Sequence, residues 1–338
     1  MTRGAPTPFG MTIPLTDPLT DVPGTARALR DAGYGDLWSA ETARFDAFTP
    51  LVAAAHAVPE LGLGTAIASV FARGPGMLAM TAAALADLAP GRFLLGVGAS
   101  TPTMSEGWHA TPFERPLARV RDTVRFLRAA LAGERVSTEF ETFAVRGFRL
   151  ERPPPVPPPV LVAALRPKMI EMAVRESDGL VLNWLSAEDV GTVLRVAEKA
   201  ASDVPHVAAR IFVCPSPRTD VVRGAARRLI STYASQPAYA AFHRWLGRGD
   251  LLATTWSAWE AGDRKAATAA VPDRVVDDLI VHGSVEDCAE HLGRYVEAGV
   301  TRPIVKLMPL DPERDLMADA LALGAALGRA TAPGPVRA

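Results

Sequence analysis

Residues 91–100 read GRFLLGVGAS, and this stretch decides between two kinds of fold for the chain. Its apolar run ends at Gly96–Gly98, which matches the first half of the G-x-G-x-x-G dinucleotide fingerprint. The full fingerprint continues to a third glycine and enters a helix at once. Here Thr101 holds the third glycine position, and no helical pattern is apparent before Arg115. The stretch therefore predicts a buried strand that ends at these glycines without forming a phosphate loop.

Short apolar runs alternate along the chain with longer segments of helical spacing. Most of the runs are continuously apolar, as in parallel strands whose two faces are both covered by helices. The predicted strands are Phe9–Ile13, Asp36–Ala40, Gly62–Val70, Arg92–Gly98, Val160–Ala164, Gly179–Asn183, His206–Cys214 and Arg302–Met308. Such an alternation is typical of a doubly wound sheet or of a (β/α)8 TIM barrel, and 338 residues suit a barrel with insertions.

The helices between the strands carry clear start and stop signals. Apolar residues recur at spacings of three and four along Leu117–Leu131, which predicts a helix that ends before Gly133. An N-terminal signature predicts another helix within Asp21–Gly33, and Ser284–Asp287 has the form of a capping box. A last helix is predicted over Pro312–Leu327.

Two segments interrupt this alternation. Residues 136–150, VSTEFETFAVRGFRL, predict a β-hairpin after the fourth helix. The following ERPPPVPPPV must be extended, because proline removes hydrogen-bond donors and blocks helix. Residues 234–274 predict a helical insertion after the seventh strand. The chain is thus interpreted as one α/β barrel domain over residues 1–338 with two insertions.

The composition is that of a folded protein without a nucleic acid partner. Hydrophobic residues make up 49% of the chain and charged residues 22%, while the net charge is −1. This balance supports a large core and gives no reason to expect nucleic acid binding. Cys214 and Cys288 form neither a disulfide framework nor a zinc pattern, which favours a reducing, cytoplasmic environment.

Four further classes of protein find no support in the sequence. The most apolar region, Leu51–Phe71, is interrupted by Pro59 and two glycines, so no membrane span is predicted. The first residues, MTRGAPTPFG, contain no apolar run, so no signal peptide is predicted either. The six histidines show no ligand spacing, which gives no reason to expect a metal site. No serine lies in a G-x-S-x-G elbow, so hydrolase chemistry is not indicated either.

Five segments between residues 9 and 310 occur in the order expected for one known family. They are ARALRDAGYGDLWSAE, LGLGTAIASVFARGPGMLAMTAAALADLAPGR, GRFLLGVGAS, PVLVAALRPKMIEMAVRESDGLVLNWLS and VHGSVEDCAEHLGRYVEAGV. Together they resemble the bacterial luciferase-like monooxygenase superfamily of flavin and deazaflavin oxidoreductases. The resemblance implies a (β/α)8 barrel that binds FMN or coenzyme F420 at the carboxyl ends of its strands and is usually a homodimer. The stretch AALRPKM…DGLVLNW is closer to the F420-dependent branch.

The resemblance implies a phosphate site at the end of the fifth strand. The residues concerned are Ala163, Ala164, Leu165, Arg166, Pro167 and Lys168. They lead into a helix whose free N–H groups and positive dipole end would stabilise an anion. The F420-dependent branch often has glycine where this chain has Arg166, so that the arginine either adds a cation for the phosphate or crowds the site. Apart from the resemblance, Arg166 and Lys168 are equally well explained as solvated residues at the start of a helix.

The resemblance also implies where the ring of the cofactor lies. In relatives, a bulge with a non-proline cis peptide supports the ring at the end of the third strand, which corresponds to Ala66 and Ile67, with Ser69-Val70 as the less favoured position. Gly98 and Ser100 are expected to line the reacting end. One glucose-phosphate-oxidising relative has a glutamate near Ser100, and its absence here argues against that reaction.

Polar side chains at other strand ends are candidates for substrate and ring contacts. Glu41, after the second strand, is the first candidate for proton transfer or substrate binding, although a solvated loop glutamate paired with Arg44 explains it equally well. His109 lies after the fourth strand, where a surface role and a catalytic role are both open. Asn183 and Trp184 follow the sixth strand, and Trp184 would either wall the ring or belong to the core.

The sequence thus predicts an oxidoreductase that transfers a hydride between coenzyme F420 and a small organic substrate. An FMN-dependent luciferase-like monooxygenase shares almost every motif and is the first alternative. A barrel that has lost catalysis and only binds is the second, because Arg166 and Thr101 depart from the expected patterns. The apolar MLAMTAAALADLA would serve a dimer interface, or it would simply face the barrel.

Overall fold

Strand pairing in the computed structural model, which describes residues 7–14 and 18–331, forms a closed ring. In chain order the strands are β1 (Gly10–Thr12), β2 (Asp36–Ser39), β3 (Gly62–Thr65), β4 (Ala68–Ser69), β5 (Phe93–Gly98), β6 (Val136–Glu139), β7 (Ala144–Phe148), β8 (Val160–Ala163), β9 (Gly179–Asn183), β10 (His206–Pro215), β11 (Ile280–Gly283) and β12 (Arg302–Leu307). β10 pairs with β9 along one edge and with β12 along the other, and β12 pairs with β1. The parallel ring β1-β2-β3-β5-β8-β9-β10-β12 therefore has no free edge, which confirms the (β/α)8 barrel and rules out the doubly wound sheet.

Helices surround the barrel and follow its strands. In chain order they are α1 (Val22–Asp31), α2 (Thr49–Ala57), α3 (Pro75–Leu88), α4 (Pro102–His109), α5 (Pro116–Leu131), α6 (Pro167–Glu176), α7 (Ala187–Ala200), α8 (Thr219–Ala234), α9 (Pro237–Trp245), α10 (Gly249–Glu260), α11 (Arg264–Ala269), α12 (Asp273–Leu279), α13 (Val285–Glu297) and α14 (Leu316–Thr331). The antiparallel pair β6–β7 forms the hairpin predicted within residues 136–150. The short helices α9 to α11 lie in the segment predicted as a helical insertion. None of the helices in the described part of the chain is both long and apolar enough to cross a membrane.

The helix signals read from the sequence are mostly confirmed. α1 and α5 occupy the predicted segments, and Ser284 caps α13 through the expected reciprocal bonds with Asp287. The last helix begins at Leu316 instead of Pro312, because the intervening residues form a turn. The short strand β11 was not predicted; it pairs only with the end of β10, outside the barrel ring.

The third predicted strand, Gly62–Val70, is in fact two short strands. The peptide bond between Ala66 and Ile67 is cis, at the position implied by the family resemblance, and it separates β3 from β4. The alternative position, Ser69-Val70, is excluded. The Ala66 amide donates to the Ser39 carbonyl (2.7 Å), so the bulge is held against the end of β2.

The lower part of the barrel is filled by one large side chain, for which two glycines on the neighbouring strands leave room. The indole of Trp38 in β2 occupies the space that a side chain on Gly10 or Gly64 would need on the neighbouring strands. Below it, Asp36 in β2 pairs with Arg302 in β12, two strands away, at 3.1 Å. Burial raises the pKa of Asp36, and the Arg302 guanidinium acts in the opposite direction. The bottom of the barrel is therefore a packed floor with a paired charge, as in other closed barrels of this size.

The inserted helices are fastened to the barrel by a buried ion pair. Arg248, before α10, has a side chain that is only 6% exposed, and it donates to Asp189 at the start of α7 (2.7 Å) and to Asp278 in α12 (3.1 Å). His243 in α9 is buried nearby. Burial, together with the Arg248 guanidinium, lowers the pKa of His243 to about 4.

We expect His243 to make the folded protein sensitive to acid. Because its folded pKa lies below that of an unfolded histidine, its contribution is fully present above pH 6.5 and is lost as the pH falls towards 4. The loss amounts to about 3 kcal/mol of unfolding free energy. Urea unfolding of the wild type and His243→Phe at several pH values between 7.5 and 4 measures it. The variant should lose less stability on acidification, whereas exposed His109→Phe should follow the wild type; equal losses in all three proteins would contradict this assignment.

Candidate functional site

A groove of about 900 Å³ opens at the carboxyl ends of the strands, beside β2 and β4. It is lined by Glu41, Thr42, Ala43, Arg44, Phe45, Asp46, Ala72, Arg73, Gly74, Met77, Met104, Trp108 and His109. Glu41 and His109, predicted from separate segments, thus come to one cavity. A smaller groove of about 410 Å³ lies between α7, α8, α12 and α13. Charged groups in its wall pair with one another: Arg223 and His282 both contact the Asp277 carboxylate.

Glu41 is held by four donors and does not project freely into the groove. Its side chain is 10% exposed and accepts hydrogen bonds from the Arg73 guanidinium (3.2 Å) and from the backbone amides of Ala47 (3.3 Å) and Ser69 (3.1 Å). Arg73 also pairs with Asp46 at 3.1 Å. The carboxylate therefore ties the loop after β2 to the strand that follows the cis peptide. Its role in proton transfer stays a prediction.

The glycines at the end of β5 make room for neighbouring strands. A Cβ atom on Gly96 would lie 2.0 Å from the Thr65 carbonyl oxygen. A Cβ atom on Gly98 would lie 2.8 Å from the Ala163 Cβ and 3.3 Å from the Ile67 Cδ1. The missing side chains are thus required for packing between the strands. As a result, Ile67, Gly98 and Ala163 meet as a shelf of apolar groups at the upper end of the barrel; we call these three residues the apolar shelf.

The segment after β5 corrects one expectation from the sequence. The helix α4 begins at Pro102, where no helix was predicted before Arg115. Thr101 caps it by accepting from the Met104 amide, and proline suits the first helical position. His109 is consequently the last residue of an eight-residue helix, exposed at the groove. Ser100 has a left-handed backbone (φ 62°), and its hydroxyl points to the Met104 sulfur.

The predicted phosphate loop leads directly into α6. Pro167 is the first helical residue, and Arg166 precedes it in an extended conformation without a side-chain cap. Arg166 and Lys168 are exposed, whereas Ala164 is buried and Leu165 partly so. An uncapped helix start between two cations has the electrostatics that favour an anion.

Asn183 and Trp184 have different surroundings at the end of β9. The Trp184 side chain is 2% exposed and packs on Phe212 (ring centroids 4.3 Å apart) and Tyr233 (4.8 Å), which favours the core role over that of a wall for the ring. Asn183 is partly exposed, and its amide donates to the Tyr239 hydroxyl at 3.4 Å. Its Oδ1 atom is buried without a partner among the described residues.

Two cationic side chains in the upper barrel were not predicted from the sequence to belong to the site. Arg210 in β10 and Lys306 in β12 occupy inward positions, in line with Ala208 and Ile304 of the barrel interior. Burial lowers the pKa of Arg210; burial and the neighbouring Arg210 lower the pKa of Lys306 to about 8. Their positions could have been recognised in the sequence, because each cation lies two residues after an apolar residue of the same strand and therefore faces the same side.

The described residues give no support to a metal site or to a reactive cysteine. Within them, no group of three or more histidine, cysteine, aspartate or glutamate side chains is arranged to hold a metal ion. Cys214 and Cys288 are both buried and free. Burial raises the pKa of each thiol, which makes neither a ready nucleophile.

Comparison with known proteins identifies the family of the chain. The sequence profile of the luciferase-like monooxygenases covers residues 2–302. The chain belongs to this family. A Mycobacterium tuberculosis protein that carries the provisional name coenzyme F420-dependent oxidoreductase is 26% identical over 321 residues, which cover 86% of this chain and 92% of that protein.

Two solved structures share the fold. An F420-dependent secondary alcohol dehydrogenase in complex with an F420-acetone adduct superimposes with a TM-score of 0.77 at 17% identity, covering 95% of this chain and 98% of that one. The oxygenating constituent of 3,6-diketocamphane monooxygenase from Pseudomonas putida, in complex with FMN, gives a TM-score of 0.64 at 15% identity, covering 97% and 98%. At these identities the likeness establishes the fold alone.

Proposed function

We propose that this protein is a coenzyme F420-dependent oxidoreductase that transfers a hydride between the deazaflavin and a small organic substrate. One observation carries the proposal: Ala163 of the apolar shelf ends β8, the strand that leads into the uncapped start of α6. An apolar surface and an anion site are thus joined by three residues of chain, 164–166. A tricyclic ring with a phosphate-bearing side arm requires both features. The similarity to a protein named for F420 supports the choice among the family's cofactors.

The residues of the mouth fit this group. The Ile67 side chain would lie against one face of the ring, and the Gly98 backbone and Ala163 would complete that surface. Arg166, Lys168 and the amides at the start of α6 would bind the phosphate through charge-assisted hydrogen bonds. When bound, the deazaflavin supplies a carbon that accepts or donates a hydride. The protein would orient it, with Arg73 and Trp108 lining the groove beside it.

FMN is the alternative cofactor, because an FMN-bound monooxygenase has the same fold and FMN also combines a flat ring with a phosphate. Such a protein would activate oxygen instead of exchanging a hydride with an organic substrate. A non-catalytic binding barrel is the remaining alternative. The homodimer also stays a proposal; α3 exposes Met77 and Met80, which an interface would cover.

Titration of the purified protein with F420 and with FMN tests the proposal. We expect F420 to bind at least tenfold more tightly than FMN. Arg166→Ala and Lys168→Ala should each weaken F420 binding about tenfold or more, because a hydrogen bond to a charged group contributes about 1.5–3 kcal/mol. Lys199→Ala, on the exposed face of α7, is the matched control and should bind like the wild type. Tight binding of FMN without binding of F420 would overturn the proposal.

A further inference from the structure

A row of polar side chains crosses the upper barrel on the side opposite the apolar shelf. In the strand register Arg210 of β10 lies beside Asn183 of β9, and Phe212 lies beside Lys306 of β12. The register of β1 against β12 places Thr12 next to Lys306. Four neighbouring strands, β9, β10, β12 and β1, therefore contribute a continuous inward-facing row, whereas the shelf belongs to β5, β8 and the link between β3 and β4.

This row contains polar atoms that the protein leaves unsatisfied. The Thr12 hydroxyl oxygen, the Arg210 Nε and the Asn183 Oδ1 are buried without a hydrogen-bond partner among the described residues. Buried polar groups are nearly always paired, and leaving one unpaired costs about 1–3 kcal/mol. The Arg210 Nε and the Thr12 hydroxyl can both donate, from strands separated only by β12, and this indicates that an acceptor from outside the chain belongs between them.

The two cations of the row also lack counter-charges. Over residues 7–14 and 18–331, neither Arg210 nor Lys306 makes an ion pair, although charged side chains in a barrel interior are normally paired. By contrast, Arg302, which lies four residues before Lys306 on β12, has its charge paired with the Asp36 carboxylate. The contrast identifies the upper pair of cations as a site for an anion that the protein does not itself supply.

Aromatic side chains form the wall behind these cations. The Arg210 guanidinium lies over the Phe212 ring, 5.6 Å from its centroid, and Phe212 in turn packs on Trp184. The Tyr239 hydroxyl accepts from Asn183, and burial raises the pKa of Tyr239, which keeps it protonated. Such a wall holds the guanidinium in place and excludes water, so that an ion pair formed there is strong.

We propose that Arg210 and Lys306 form an oxyanion subsite that binds a carboxylate or phosphate group of the substrate. The Thr12 hydroxyl completes the subsite as a donor to one of the remaining oxygens. The substrate class is therefore an organic anion, whose charged end lies on the β10–β12 side while its reacting carbon faces the apolar shelf. This assignment of the anion to a substrate rests on the proposed function.

Binding of two isosteric probes to the full chain without cofactor tests the subsite. ¹⁹F NMR titrations with 4-fluorobenzoate and 4-fluorobenzamide compare an anion with a neutral molecule of the same shape. We expect the wild type to bind the benzoate at least tenfold more tightly than the benzamide. Arg210→Met and Lys306→Met should each abolish most of this preference. Equal affinities in the wild type, or a preference that survives in both variants, would overturn the proposal.

Matched variants separate the subsite from general effects of charge and folding. Arg195→Met and Lys199→Met remove the same charges from exposed positions on α7 and should leave the preference unchanged. Because Arg210→Met and Lys306→Met remove unpaired charges, they should melt at or above the wild-type temperature. Arg210→Lys and Lys306→Arg keep the charge and should retain the preference within about threefold, which supports the site even if a methionine variant folds poorly.

A final pair of titrations distinguishes a substrate anion from an anion of the cofactor. If saturating F420 leaves benzoate binding and its preference intact, the subsite belongs to the substrate. If F420 displaces benzoate, and Arg210→Met and Lys306→Met weaken F420 binding by the same factor, the cations hold the cofactor and the assignment to a substrate is overturned. A wild type that prefers benzoate but does not bind F420 supports the anion subsite and overturns only the proposed cofactor.

Discussion

Gly96→Ala is expected to lower the free energy of unfolding by about 3 kcal/mol, because it overpacks the barrel at a place that cannot relax. The added Cβ would meet the Thr65 carbonyl oxygen at 2.0 Å. That carbonyl belongs to β3, and the Thr65 hydroxyl is bonded to the Gly96 carbonyl at 2.8 Å, so the two strands cannot separate without losing contacts. The substitution should also displace the peptide between Ala66 and Ile67, directly after Thr65, and thereby weaken binding of F420.

Thermal and urea unfolding of the variant measure this effect. Gly224→Ala is the matched control, since Gly224 lies in α8 with open space around its Cβ position and alanine favours helix. The control should be as stable as the wild type or more so. A Gly96→Ala protein with wild-type stability would mean that β3 and β5 approach less closely than the structure shows.

Glu41→Gln is expected to lower the unfolding free energy by about 2 kcal/mol, because an amide cannot accept from all the donors that surround the carboxylate. The amide nitrogen of glutamine would face either Arg73 or the Ser69 amide, both of which donate. The loop after β2 would then lose its tie to β4, and F420 binding should weaken about tenfold. If Glu41 only positions these elements, kcat should change by less than about threefold.

The same variant decides between positioning and proton transfer. A general acid or base contributes about 10²- to 10⁴-fold to the rate, so loss of a proton-transfer group would reduce kcat by that factor while leaving stability nearly unchanged. The pH profile of kcat would also lose one limb. Glu114→Gln, at an exposed glutamate in the loop before α5, controls for the loss of a charge near the mouth and should alter neither stability nor kcat.

Several features of the site could be predicted from local sequence and family resemblance. The position of the cis peptide at Ala66-Ile67 is confirmed, and the start of α6 lies where AALRPK predicts it. α4 was missed, because its eight residues contain no apolar stripe and its start depends on a single capping contact from Thr101. The strand β11 was missed since it is short and pairs only with the end of β10.

The sequence by itself determined the alternation of buried strands and amphipathic helices; the family resemblance favoured a barrel over a doubly wound sheet, and strand pairing confirmed it. Those signals are local: apolar runs, helical periodicity and caps lie within about 15 residues of one another. Only the tertiary structure decided what each side chain at the mouth contacts. It paired Glu41 with Arg73, buried Trp184 against Phe212, and placed Arg210 and Lys306 on neighbouring strands without an ion-pair partner among the described residues. These contacts join strands that are distant in the chain, and their partners depend on barrel closure and register, which no short segment encodes.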